Sequence, residues 1–244
     1  MYSDPTVYDI LHTPGTSEEV DTYLWIVSKH LQLNKSLKWL EPACGTGRCL
    51  RLLAQRGYYV AGFDIDQEMI RYSKNSGLAC ELFEADMIDF NSQLQCKFDI
   101  AFNPFNSIRH LHSDEAMLKH LEQVSQSLNT GGLYLVGISL SDYDNDVPEE
   151  DIWTGSRDDC KVTQVVNYLP PDQISRLETV ISHILVENKD EHINETYKLR
   201  SYNKLEWTEL VANSPFEVVK SYDSLGIPAG SRKLIYQIEV LRTI

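Results

Sequence analysis

Glu41, Gly45, Gly47 and Asp64 have the types and spacing to hold a ribose-bearing ligand. A strand that empties into small residues lets backbone N–H groups at a helix start face a polar group with no Cβ in the way. Asp64, nineteen residues past Gly45 and at the end of the next apolar segment, is placed to accept hydrogen bonds from two ribose hydroxyls. The elements that must position them are strand, tight turn, helix and strand. Leu37-Lys38-Trp39-Leu40 runs into Glu41-Pro42-Ala43-Cys44-Gly45-Thr46-Gly47-Arg48, and a second apolar segment ends at Phe63-Asp64.

The glycine spacing narrows the nucleoside. A dinucleotide fingerprint needs G-x-G-x-x-G, but Leu50 stands at the third glycine, so the helix is expected to pack less closely. A G-x-x-x-x-G-K-[ST] phosphate loop is absent. What remains, E-x-A-x-G-x-G followed by G-x-D at 62–64, resembles motif I and its successor in class I S-adenosylmethionine-dependent methyltransferases. Ala43 replaces that family's usual first glycine and suits the turn if its φ stays negative.

The resemblance implies S-adenosyl-L-methionine as cofactor and assigns further positions. Ile65, after the ribose acid, would pack on adenine, with Met69 in the core or beside the ring. Asp86 would accept from the adenine amine while the Met87 N–H reaches a ring nitrogen; a helix N-cap is the structural alternative for Asp86. The string F-N-S-I-x-H-L from Phe105 resembles motif IV of small-molecule methyltransferases. Asn103-Pro104-Phe105 also resembles the N-P-P-[YF] of nucleic-acid amino-methyltransferases, without its second proline. Asn103 is accordingly expected near the methionine moiety through backbone or side chain, and Phe105 as a pocket wall. Tyr8, in V-Y-D-I-L, resembles the lid tyrosine of small-molecule members, or anchors the lid half-buried.

Methyl transfer from a sulfonium needs chiefly alignment, plus a base or acceptor near the nucleophile. Candidates are His110 and His112 beyond motif IV and Tyr143 beyond the fifth strand; each also reads as a surface or capping residue. His183 and His192 are weaker, and no catalytic residue is singled out.

The 244 residues, 42% hydrophobic and 24% charged, suit one large α/β domain or one domain with an insertion. A net charge of −14 argues against a nucleic-acid partner. Residues 141–160 hold eight acids and one base, half that net charge, and read as a solvated loop or as a rim attracting cationic substrates. This rim makes an amine acceptor favoured over an acid. The five cysteines lack C-x-x-C or zinc-like spacing, so no metal site is expected, and free thiols suit the cytoplasm. No apolar run suggests a leader or a membrane span.

Alternating strand and helix patterns to residue 140 predict an α/β fold: a Rossmann-like, seven-stranded, mostly parallel sheet with helices on both faces and an inserted antiparallel β-meander. Residues 1–15 are turn-rich, and Thr16 to Glu19 offers a capping box for the following helix. The meander is expected as three strands, Lys161 to Leu169, Arg176 to Glu187 and Asn194 to Ser201; the last strand is expected over Lys233 to Leu241. The domain reading is a lid and helix at 1–36, a methyltransferase core at 37–141 and 202–244, and an inserted β subdomain at 142–201. An insertion there resembles that of sugar N,N-dimethyltransferases; it would cap the pocket, form a homodimer surface, or both. The expected function is methyl transfer to a small-molecule nitrogen or oxygen. The alternatives are a nucleic-acid amino-methyltransferase, a non-catalytic cofactor-binding partner and, more distantly, a nicotinamide dehydrogenase.

Overall fold

A computed structural model describes residues 4–77, 80–189, 191–230 and 236–244. Its spine is the run β1 (Lys38–Pro42), α3 (Arg48–Gln55), β2 (Tyr59–Asp64), α4 (Gln67–Asn75), β3 (Glu81–Glu84), β4 (Phe98–Asn103), α5 (Asp114–Ser127) and β5 (Leu128–Ser139). The chain closes with α6 (Lys204–Ala212), β10 (Phe216–Tyr222) and β11 (Tyr236–Thr243). Among the described residues the main sheet has the order β10-β11-β5-β4-β1-β2-β3, with β11 antiparallel to both neighbours. The sequence also places a third strand over Ala79 to Glu84; its first residue, and Lys233 to Ile235 at the start of the last expected strand, lie outside the described residues.

Both sheet faces are covered, as the unbroken apolar strands require. Alternation decides which residue goes where: on β5, Leu133 and Leu135 face a layer with Val20, Ile26 and Leu50, while Tyr134 and Val136 face α5 and α6 through Leu121 and Trp207. The Asn203–Glu206 capping box forms at the start of α6, and the Ser113 side chain caps α5.

The N-terminal segment differs from the turn-rich reading. It contains α1 (Pro5–His12), whose N-cap Asp4 accepts from the Thr6 and Val7 N–H groups with Pro5 in the first turn. The following α2 (Thr16–Ser28) starts at Gly15 with no side-chain cap. The expected Thr16–Glu19 box is not made, because Thr16 Oγ1 donates back to Thr13 C=O at 2.7 Å and Glu19 binds Arg48 instead.

The insertion has four strands among the described residues, one more than the sequence suggested: β6 (Glu149–Arg157), β7 (Cys160–Asp172), β8 (Leu177–Val186) and β9 (Glu191–Arg200), paired in that order. β6 falls within the acidic stretch. Its charge hides a hairpin register that runs from Glu149 opposite Tyr168 to Arg157 opposite Cys160. One face of this sheet packs on α1 through Val162, Ile184 and Val186 against Val7, Ile10 and Leu11. Gly155 is required there, since a side chain would strike the Ile10 carbonyl. No helix among the described residues is long and apolar enough to cross a membrane.

Candidate active site

The glycine turn sits at the carboxyl end of β1, where ligands bind in open parallel sheets. Ala43, Gly45 and Gly47 all take left-handed backbone, at φ of 50°, 52° and 69°. Ala43 therefore does not keep the negative φ expected of it, and it bears strain of about 1–2 kcal/mol as a non-glycine residue. The reversal lets Cys44 N–H reach the Phe63 carbonyl at 2.9 Å. Nor does α3 stand off: a side chain at Gly62 would meet Leu50 Cδ1 and Cys44, so Gly62 supplies the close approach that position 50 does not.

Asp64 Oδ2 accepts from Gly45 N–H at 2.8 Å and Oδ1 from Asp66 N–H at 3.0 Å. Burial raises its pKa, and these two bonds pull the other way. Each oxygen keeps a second lone pair for a ribose hydroxyl. Glu41, 3% exposed, has one carboxylate oxygen with no partner. Burial pushes its carboxyl well above the usual range, against the pull of Arg48. A buried carboxylate with an orphaned oxygen suits a cation, so these residues fit S-adenosylmethionine, whose amino-acid end carries an ammonium.

The other predicted positions divide. Ile65 is 68% exposed beside Asp64, free to cover a flat ring, whereas Met69 is 1% exposed and belongs to the core. Asp86 is half-buried and closes a turn by accepting from Ile88 N–H at 3.1 Å; it caps no helix. The half-buried Met87 gives its carbonyl to His120 Nδ1 at 2.9 Å. Asn103 points into the core: its Nδ2 donates to the Pro42 carbonyl at 2.6 Å and its oxygen accepts from the Tyr134 hydroxyl. Any contact it makes with the methionine moiety is left to its backbone. Tyr8 lies half-buried with ring carbon Cε1 3.4 Å from where a Gly45 side chain would begin, and burial raises its hydroxyl pKa.

Beyond this turn lies a cavity of about 800 Å³, walled by α1, the loop after β4, the acidic stretch and the insertion. Phe105, 62% exposed, lines it from a left-handed conformation shared with Asn106, at φ of 47° and 64°. Asn106 holds that loop by accepting from Ser139 N–H at 2.6 Å. His110 lines the cavity with its ring stacked 5.7 Å from that of Tyr197, and burial lowers its pKa to about 4. His112 and Tyr143 are not among the lining residues. Exposed His112 bonds the Lys198 carbonyl through Nε2 at 2.9 Å, and the Tyr143 hydroxyl donates to Glu206 at 2.7 Å, buttressing α6.

Asp9 and Arg48 escaped the sequence reading, and Asp146 entered it only as one acid of the rim. Asp9 on α1 is a hub, accepting from Thr46 Oγ1 at 2.7 Å, Arg51 at 2.6 Å, Arg157 at 2.5 Å and Tyr72 at 3.2 Å. Burial opposes its ionisation, and the bonds from Thr46, Arg51 and Arg157 outweigh that and hold the carboxyl below its ordinary range. Asp146 lines the cavity with Oδ2 buried and unpartnered. Arg48 lines it as the one Lys or Arg among the described lining residues. Of the two that escaped, Arg48 left a signal, being a cation in the first turn of a helix, where the macrodipole disfavours it.

Residues 40–132 match the methyltransferase domain family. The Bacillus subtilis (strain 168) protein YqeM, which carries a provisional methyltransferase name, is 20% identical over 98% of this chain and 96% of its own. The dTDP-3-amino-3,4,6-trideoxy-alpha-D-glucopyranose N,N-dimethyltransferase of Streptomyces venezuelae is 27% identical over 40% of each chain. The crystal structure of an S-adenosylmethionine-dependent methyltransferase from Clostridium acetobutylicum ATCC 824 superposes with a TM-score of 0.78 at 17% identity, covering 98% of this chain and 96% of that one. The domain match thus covers residues 40–132 with the glycine turn inside it, and the fold is the one seen in S-adenosylmethionine-dependent methyltransferases, shared along 98% of the chain.

Proposed function

We propose that the protein methylates a nitrogen of a small-molecule amine bound in the cavity beyond the glycine turn. The observation that carries this is charge. Asp142, Asp146, Glu149, Asp151 and Glu178 line the cavity, Arg48 is the one Lys or Arg among the described lining residues, and Glu178 is paired with Arg109 at 2.6 Å. Asp146 Oδ2 lacks a partner, so an ammonium group can complete it. Trp153, Tyr168 and Tyr197 add aromatic walls, which attract cations by their ring faces. The name of the Streptomyces venezuelae relative describes an N,N-dimethyltransferase and supports the same acceptor class.

Bound S-adenosylmethionine supplies an activated methyl group; the chain's own work is placement and proton handling. Phe105 and Tyr8 wall off the methyl side, and the insertion shields the acceptor from water. The amine must shed its proton before attack. That proton leaves to water before the amine is enclosed, and His110, whose imidazole burial keeps neutral, is our candidate to accept a hydrogen bond from the amine N–H and aim its lone pair. We assign Asp64 to the ribose, Asp86 and Met87 to adenine, and Ile65 to the ring face. Two copies pairing through the insertion, and residence in the reducing cytoplasm, complete the proposal.

The test is turnover on matched amine and hydroxyl compounds, following S-adenosylhomocysteine release and product mass. Amines should react and the hydroxyl counterparts should lag at least tenfold. Asp146→Asn should raise KM for the amine about tenfold with kcat retained, the size of one charge-assisted hydrogen bond. Equal rates for both compound classes with an unchanged KM would remove the amine reading.

A further inference from the structure

We propose that the acceptor is an amphiphilic amine, one whose nitrogen adjoins a bulky alkyl or aryl body; this deepens the amine reading above and rests on it. Large apolar side chains grouped in contact with water mark a surface that something else covers. Phe105, Val147, Ile152 and Trp153 form such a group around the cavity, with Val147 and Ile152 as much as 64% and 62% exposed. They come from the loop after β4, the loop before β6 and β6 itself, so the fold has gathered them from separate places. β6 is the edge strand of the insertion's sheet, where an exposed pair such as Ile152-Trp153 invites pairing with another chain. An occupant of the cavity removes that liability. The surface is concave and encloses about 800 Å³, which suits a small molecule rather than the flank of a second copy.

The acids are interleaved with these side chains. Asp146 directly precedes Val147, and Asp151 directly precedes Ile152 and Trp153; chain neighbours stand about 3.8 Å apart at Cα. An ammonium held by either acid lies against hydrocarbon, so charge and apolar bulk must adjoin in the acceptor too. Leu11 and Leu199, both buried, add further apolar lining. The Trp153 indole stands edge-on to the His12 ring at 5.8 Å, and burial brings the His12 pKa down to about 4, so that ring adds no competing cation. A polyol amine would turn hydroxyls against Val147 and Ile152, which offer them no hydrogen bond, and burying a hydroxyl unpaired loses affinity. Asp64, Ile65, Asp86 and Met87 are not among the lining residues, so this room lies beyond the positions assigned to adenosine.

The experiment measures kcat/KM for straight-chain primary amines from propylamine to octylamine, whose nitrogens are alike and whose apolar bodies differ. Matching alkanols and 2-amino-2-deoxyglucose run beside them, with S-adenosylhomocysteine release as the readout. In wild type kcat/KM should rise about fourfold for each added methylene until the cavity is full, the size expected for hydrocarbon leaving water, and the amino sugar should trail octylamine. The double variant Val147→Ser, Ile152→Ser alters two exposed side chains, so folding is not at stake. It should flatten the rise, costing octylamine at least fivefold more than propylamine. Amines of every length reacting equally would overturn the proposal, as would an amino sugar that outruns octylamine or an undiminished rise in the double variant. Alkanols that react with the same rise while the amines do not would refute the amine reading and keep the apolar body. Turnover of neither series would overturn both.

Discussion

Glu41 carries a conflict between stability and binding. Its pKa stands well above the ordinary value of 4.5 because burial disfavours the carboxylate. A group whose folded pKa is raised stabilises the fold at low pH and loses that contribution as pH climbs through the folded value. Glu41→Gln, which has no charge to bury, should therefore stabilise the ligand-free protein by about 1 kcal/mol at pH 8 and by much less at pH 5. It should also weaken S-adenosylhomocysteine binding, since the partner for the ammonium is gone. Urea melts at the two pH values with and without ligand would show it; a variant less stable at pH 8 would mean that Glu41 supports the fold. The glutamate, the glycines and Asp64 were legible from residue type and spacing alone. For Asn103 the sequence left backbone and side chain both open, because it cannot say which neighbour an amide will meet first: Pro42 and Tyr134 reach it only when β4 lies beside β1 and β5.

At the level of elements, α1 joins the two halves of the site. One part of it, Tyr8, touches the glycine turn; Leu11 and His12 line the acceptor cavity; Val7, Ile10 and Leu11 pack on the insertion. Asp9 fastens the helix to Thr46, Arg51 and Tyr72 on the core side and to Arg157 on β6. Because its pKa is lowered, this clasp contributes stability above the unfolded value of 3.8 and loses it as pH falls below. Asp9→Asn should speed amide hydrogen exchange in residues 5–12 by about ten- to hundredfold, the equivalent of one or two lost charge-assisted bonds, and leave β1 and β4 amides unchanged. Acceleration across the whole sheet would show that Asp9 holds the fold rather than the lid. Helix α1 was missed because eight residues beside two turn signals carry little periodicity; the Asp4-Pro5 pair at its start was the available clue.

For the whole molecule, the insertion does one of the two jobs expected of it by walling the cavity. The second, pairing of two copies, is tested by light scattering, which should return twice 28.0 kDa at micromolar concentration. Ile174 and Leu169, 95% and 38% exposed at the β7–β8 end, leave apolar surface for such a contact. A mass of 28.0 kDa would remove pairing and leave the capping role intact. The parallel core and the cofactor turn were determined by the sequence itself, because strand burial, glycine placement and a ribose acid are local demands that leave local signatures. Tertiary structure alone decided that residues 149–157 of the acidic stretch become strand β6, that four of its acids line the cavity, and that Arg48, Asp9 and Asp146 gather around the glycine turn and that cavity. These depend on contacts between residues up to 148 positions apart, such as Asp9 with Arg157, and no local pattern encodes which distant side chain will complete a charge.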